Sequence, residues 1–396
     1  MVMNKILLLG VLACWPLFAS GQIFSDPAFK DEVYQGLDLM YEMRYDAAAA
    51  HFERVRARHP DHPAPYFMLA LNRWWQTYVS ITTSKYYDYI EDQLELALDK
   101  NDLLRRKAGY EQEQVFFEFM SHALAARLAA YRGEWFSAVN AARKVIDPMK
   151  VGLGYAGQVP EFDMVAGLYH YYVATYHELN PVIRPFLSFF PAGDKAQGLR
   201  ELEAAAARRS LVQAESAYFL GTIYLDEIRQ YDQGLRSTLQ LWNRYPRNVW
   251  FKQEYARALV KSGQPQQGEA LVDQLIGAFE AQPGHRERHI SSLQSIYTTH
   301  LMIGVYHYKA LARMYGHRRY DEALGLLARS DDMARLAGEE VNPYRCGNEV
   351  YRGICYDNLN RRSEALAAYK RAGSMDGAAM YQSLIDEGLR RAVLIR

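Results

Sequence analysis

Cysteine is nearly absent from this chain, with Cys14, Cys346 and Cys355 the only three in 396 residues. That excludes a disulfide-stapled scaffold, which needs several pairs at regular spacing. Net charge is absent too, since 46 basic side chains face 46 acidic ones. A neutral chain has no electrostatic case for nucleic acid, whose binding rests on a cationic surface. The basic pairs Arg105-Arg106, Arg318-Arg319 and Arg361-Arg362 are scattered among acids and read as solvated helix faces. Beyond the first twenty residues no apolar run reaches the length of a membrane-spanning helix. Few segments alternate strictly between apolar and polar, so strands are not expected. Signatures of chemistry are missing as well: no glycine loop ending in Lys-Ser/Thr, no GxSxG elbow, no HExxH pair.

The first residues read as an address. Lys5 precedes the apolar run Ile6–Ala13, and Ala19-Ser20-Gly21 offers small residues for cleavage before Gln22. Residues 1–21 are therefore expected to be a signal peptide, and the chain to be exported, periplasmic or secreted. The alternative is a lipid on Cys14, which follows Val11-Leu12-Ala13 and would hold the protein at an outer membrane. Cleavage removes one lysine and no acid, leaving a charge of −1 (45 basic, 46 acidic). Of the remaining thiols, Cys346 and Cys355 fall on one expected helix. About 100° per residue sets them on opposite faces, roughly 13 Å apart along the axis, so they cannot pair. Both are expected to be small apolar fillers.

What the sequence does have is alanine and tyrosine in helical register. Ala47–Ala50 and Ala204–Ala207 favour helix, and proline and glycine collect between the periodic segments. Asp194 is placed to cap a helix starting at Lys195, with Gln197 completing a capping box. Gly36, Tyr45, Asp46, Ala48, Phe52 and Pro60 form a spaced pattern that returns along the chain. Its last copy is Gly353, Tyr356, Ala365, Tyr369 and Ala372, and another is Gly221, Tyr224, Tyr231, Asp232 and Pro246. Ala126, Gly133, Trp135 and Ala138 make a third, Tyr320, Asp321 and Ala323 a fourth, and Ala256, Gly263 and Gly268 a fifth. Ala70 pairs with Tyr87, Asp88 and Ala97 across an enlarged turn, and Gly167 with Gly198 and Leu202 across an insertion near 179–193. The pattern resembles the tetratricopeptide (TPR) repeat, a helix–turn–helix unit of about 34 residues. The resemblance implies an all-α solenoid of about eight repeats over residues 22–396, above roughly 60% helix, closed by a polar C-terminal cap at about 375–396. Small residues belong where two helices cross closely.

Such repeats build surfaces for partners, so the resemblance implies a non-enzymatic scaffold that binds a protein or peptide in a concave groove, without a cofactor or metal. First helices line that groove, which places Leu37, Met40, Leu71, Trp74, Arg127, Thr222 and Leu225 inside it and Tyr41, Trp75 and Tyr131 at its margin. Thirty tyrosines, with Trp74-Trp75, Trp135, Trp242 and Trp250, suit a groove in which Trp, Tyr and Arg act as anchors. The bland fate of any one of these rings is packing between repeats.

Three patterns point to chemistry and are each better explained otherwise. Gly152, Gly154 and Gly157 spell GxGxxG, but helix precedes them, Pro148 ends it and Pro160 starts the next, so a loop is expected. His285 and His289, with Glu287, could share a helix face at a helix start, yet lack further zinc ligands. His170, His177 and Glu178 sit in a tyrosine-dense helix where packing accounts for them. The insertion Asn180 to Pro191 is apolar and bounded by proline, and with Gly193-Asp194 and Gly198-Leu199 it resembles a segment of a TPR family found on the mitochondrial outer membrane. It is expected to plug the groove or to present a hydrophobic edge, and the second offers peripheral contact with a membrane as the alternative function.

Overall fold

Where two helices must touch, this chain places a residue with little or no side chain, and those positions set its architecture. The structure, a computed structural model, describes residues 22–78, 84–179, 192–339 and 342–395, with side chains except at 176–179. It is 77% helical, above the expected share, and has no strand among the described residues. The fold is all-α and TPR-like.

Eight helix pairs follow one another: α1 (Pro27–Tyr41) with α2 (Tyr45–Arg58), α3 (Pro63–Tyr78) with α4 (Tyr87–Leu104), and α5 (Glu111–Tyr131) with α6 (Trp135–Lys144). A short α7 (Ile146–Leu153) intervenes before α8 (Pro160–Leu179) pairs with α9 (Lys195–Ala207). Then come α10 (Gln213–Thr222) with α11 (Tyr231–Arg244), and α12 (Val249–Lys261) with α13 (Pro265–Glu280). The last pairs are α14 (Thr299–His317) with α15 (Tyr320–Ala337), and α16 (Pro343–Asn358) with α17 (Arg362–Gly373). Helix α18 (Ala378–Arg390) packs on both members of the final pair. First helices also meet those of the next repeat, α1 with α3, α3 with α5, α12 with α14 and α14 with α16. These eight pairs are the ones the spaced pattern predicts.

The small residues do what the pattern requires. A Cβ added at Gly198 would lie 2.6 Å from the Gly167 carbonyl, so α8 and α9 cross backbone on backbone. The Phe52 ring occupies the space a Cβ on Gly36 would need. Asp194 caps α9 by accepting from the Gln197 amide at 2.8 Å. The expected box is only half formed, because the Gln197 side chain runs forward to Glu201, 2.9 Å away, where a full turn of helix gives it a better partner.

Three expectations need correction. Pro148 does not end a helix: it sits in the first turn of α7, where its missing N–H costs nothing. Gly152 belongs to that helix, with Phe162 packed where a side chain would go, so only Gly154 and Gly157 lie in the following turn. His285 and His289 are not on a helix, since α13 ends at Glu280 and Thr298 caps α14. The insertion 180–191, the leader 1–21 and the side chains of His177 and Glu178 lie outside the described residues.

Cys346 and Cys355 are both buried and unpaired. Burial pushes the Cys355 thiol up to about 12, which keeps it protonated and inert. A second buried titratable group has a larger consequence. His307 on α14 is enclosed by Tyr308, Tyr344 and Tyr351, and its Nδ1 donates to Asn348 Oδ1 at 2.6 Å. Burial lowers its pKa to about 4, against the pull of that hydrogen bond. In the unfolded chain it takes a proton near 6.5, so its contribution to stability is complete above that pH and is lost as pH falls toward 4. The loss amounts to roughly 3 kcal/mol over that window. Urea unfolding at pH 7 and pH 4.5 should therefore show a drop in stability for the parent chain that is clearly smaller in His307→Gln.

Candidate functional site

The first repeats do not stand apart from the later ones. Tyr41 on α1 and Trp75 on α3 reach the inner faces of repeats more than a hundred residues away. The Tyr41 hydroxyl donates to Glu215 on α10 at 3.3 Å, and Trp75 Nε1 donates to the same carboxylate oxygen at 2.6 Å. Tyr245 donates to Asp38 at 3.1 Å, and Asn248 Nδ2 donates to the Tyr41 carbonyl at 2.7 Å. Phe251 lies 5.9 Å from Trp75, ring to ring, and Tyr218 lies 5.7 Å from it. The inner faces of the first two repeats thus press against those of the fifth and sixth.

Glu215 is the polar centre of this closure. Burial raises its pKa, opposed by the Arg127 charge and by the hydrogen bonds from Trp75 and Tyr41. A buried carboxylate tolerates its position only when its oxygens are held by donors. Here an indole and a phenol supply them.

Beside Glu215 lies a wall of rings under a cation. The Arg127 guanidinium sits 4.9 Å from the Trp74 ring centroid, 5.4 Å from Tyr78 and 6.0 Å from Phe219. Arg127 is half-buried, and no hydrogen-bond acceptor or carboxylate within ion-pair distance meets it among the described residues. Tyr131, packed edge-on against Trp74 at 5.4 Å, has a buried hydroxyl with no hydrogen-bond partner among the described residues. Trp250, 5.2 Å from Tyr78, has a buried indole N–H with no such partner among them either. The Tyr78 and Tyr218 hydroxyls bond each other at 2.9 Å, and only one proton lies between them. Arginine and indole nitrogens donate and never accept. The Arg127 guanidinium is therefore a donor without an acceptor among the described residues.

The predicted groove residues divide sharply. Leu37, Met40, Tyr41, Leu71, Trp74, Trp75 and Leu225 are all buried, Trp74 at 2% exposure, and none faces an open groove. Closure explains Tyr41 and Trp75, whose contacts reach repeats five and six, whereas Trp74 packs on Tyr131 of the neighbouring repeat. Leu225 has a different reason. A π-helical turn, Ile223–Glu227, adds a residue to the helical register and swings Leu225 against Gly234 of its own repeat. Arg127, Tyr131 and Thr222 alone stay half-buried, and Thr222 bonds back to the Tyr218 carbonyl at 3.2 Å. Sequence reasoning missed Glu215, Tyr78, Tyr218 and Phe219. Nothing in a repeat pattern joins positions 41, 75 and 215.

No protein-family model matches the chain, and no curated protein matches it. Among solved structures it is similar to the human IFIT1 dimer with PPP-AAAA, at 12% identity and a TM-score of 0.46, over 87% of this chain and 72% of that one. The TPR domain of P58(IPK) aligns at 14% identity and a TM-score of 0.26, over 92% of this chain and 96% of that one. Yeast Tom70 aligns at 10% and 0.26, over 91% and 94% respectively. Likenesses this distant carry no functional argument, so the reading rests on the chain's own geometry.

Other clusters account for themselves. No three His, Cys, Asp or Glu side chains gather as a metal site among the described residues. His170 bonds Glu201 at 2.6 Å, and His285 bonds the Gln282 carbonyl at 3.2 Å. Arg257, nearly buried, is held by Asp226 at 2.8 Å and Glu254 at 2.6 Å, with only its Nε left without a hydrogen-bond partner among the described residues. No helix among the described residues is long and apolar enough to cross a membrane.

Proposed function

We propose that this chain is a non-enzymatic, extracytoplasmic scaffold that binds a protein or peptide partner, with Arg127 at the point of contact. One observation carries the proposal: a half-buried guanidinium laid over Trp74, Tyr78 and Phe219 with no acceptor of its own among the described residues. Arginine, tryptophan and tyrosine are the residues in which binding energy concentrates, and rings beneath a guanidinium strengthen its bonds by excluding water. A partner that matches this wall offers oxygen acceptors, such as an acidic side chain or bare carbonyls. Extracytoplasmic placement is supported by the leader pattern in residues 1–21.

The test is capture of the partner by crosslinking from the cell envelope, followed by affinity measurement with Arg127→Ala. Removing a true anchor should cost about 2 kcal/mol, roughly thirtyfold in affinity. The melting temperature should fall less than on emptying the Trp74 site, since Arg127 makes no hydrogen bond or ion pair among the described residues, although its charge eases the burial of Glu215 and it covers the Trp74 ring. Full affinity in the folded variant would overturn the assignment.

A further inference from the structure

Helix α6 buries the same small-residue position as its fellow second helices, Ala138 matching Ala48 of α2 and Ala365 of α17, yet its outer face is apolar. In α17 the residues against the protein include Tyr369, and in α2 they include Phe52, both fully buried. In α6 the buried residue is Ala138, while Trp135 is 71% exposed, Phe136 90% and Val139 54%. At about 100° per residue, Trp135, Val139 and Phe136 fill one arc of roughly 100°, with Arg143 inside the same arc one turn on. Lys144 borders it. Arg143 and Lys144 are exposed, and no ion pair holds either of them among the described residues. Residues 135–146 contain no acid, although the chain as a whole is neutral.

We infer that the outer face of α6 is a docking surface for an anionic lipid membrane. Tryptophan and phenylalanine beside basic side chains are what a helix lying in the membrane interface presents. The rings enter the headgroup boundary, and the cations meet anionic lipid. A second copy fits worse. Two such faces packed together would oppose Arg143 and Lys144 of each copy with no acid to neutralise them. The surface is one helix face with no groove, so it does not favour an inserted peptide. The inference is independent of Arg127, and it gives membrane contact a site other than the insertion or Cys14.

The experiment is co-sedimentation of the full chain with phosphatidylcholine vesicles, with and without roughly one third phosphatidylglycerol. The parent chain should bind the anionic vesicles and lose binding as salt rises. Trp135→Ala with Phe136→Ala should weaken binding by about tenfold or more, from lost apolar contact. Arg143→Ala with Lys144→Ala should reduce the preference for anionic vesicles on the order of thirtyfold, at about fivefold per cation. Both variants alter exposed side chains, so their melting temperatures should match the parent. Fluorescence quenching by brominated lipid gives a check on the parent chain, because Trp135 should be quenched on binding. Failure of the parent to bind anionic vesicles overturns the inference. So does parental binding in the ring variant, which would assign attachment to the leader or the insertion. Dimerisation abolished by the ring variant, without vesicle binding, would assign the face to a second copy.

Discussion

Replacing Trp74 with alanine should cost about 3–5 kcal/mol of folding stability, the range for emptying a large buried aromatic site. Trp74 is 2% exposed, packed against Tyr131 at 5.4 Å and Tyr78 at 6.0 Å, with Arg127 above its ring. Its loss would open a cavity at the joint between α3 and α5 and leave Arg127 over a void. Sequence alone makes Trp74 the foremost anchor for a partner. The structure makes it the floor on which Arg127 rests. Urea unfolding and partner affinity measured on the same variant separate the two roles. A near-parental unfolding midpoint would contradict the inner-face packing described above.

Gly353→Leu should destabilise by about 1–3 kcal/mol or more through overpacking. A Cβ at this position would stand 2.6 Å from the Tyr369 ring, closer than any carbon can approach. The ring has nowhere to go. Gly388 of α18 closes its other side, and its hydroxyl is held by Asp357 at 3.1 Å. That carboxylate also accepts from Arg362 at 2.8 Å and from the Val393 amide at 2.9 Å, so the cap is tied to the same clamp. Gly221→Leu should be milder at the first carbon, where Thr238 Cγ2 lies 3.2 Å away and can shift. A thermal melt of both variants should rank Gly353→Leu as the more damaged. Equal, parental melting would show that the helix register is wrong.

The repeat register was legible because it is local. A small residue on one helix and a small or aromatic residue on its partner lie a fixed number of positions apart, so Gly36 with Phe52 and Gly353 with Tyr369 announce their crossings in sequence. Even the interrupted pairs, Ala70 with Ala97 and Gly167 with Gly198, appear in the structure as α3 with α4 and α8 with α9. Helix α7 escaped because Pro148 signals a break wherever it stands, and only tertiary context allows it in a first turn. The site was legible only in part. Arg127 and Tyr131 were identified from repeat position, yet the partners that give them meaning, Phe219 and Trp250, lie far along the chain.

By itself, then, the sequence determined an all-α array of eight helix pairs, its small crossing positions and its two unpaired thiols. Each depends on contacts within one repeat, where spacing along the chain equals proximity in space. Only the tertiary structure decided that the array closes on itself. That depends on the accumulated rotation of one repeat on the next. Closure brings Tyr41 and Trp75 to Glu215 and leaves Arg127 half-buried beside them. Small angles summed over many repeats are written in no single motif, and the pairing of distant side chains follows from that sum.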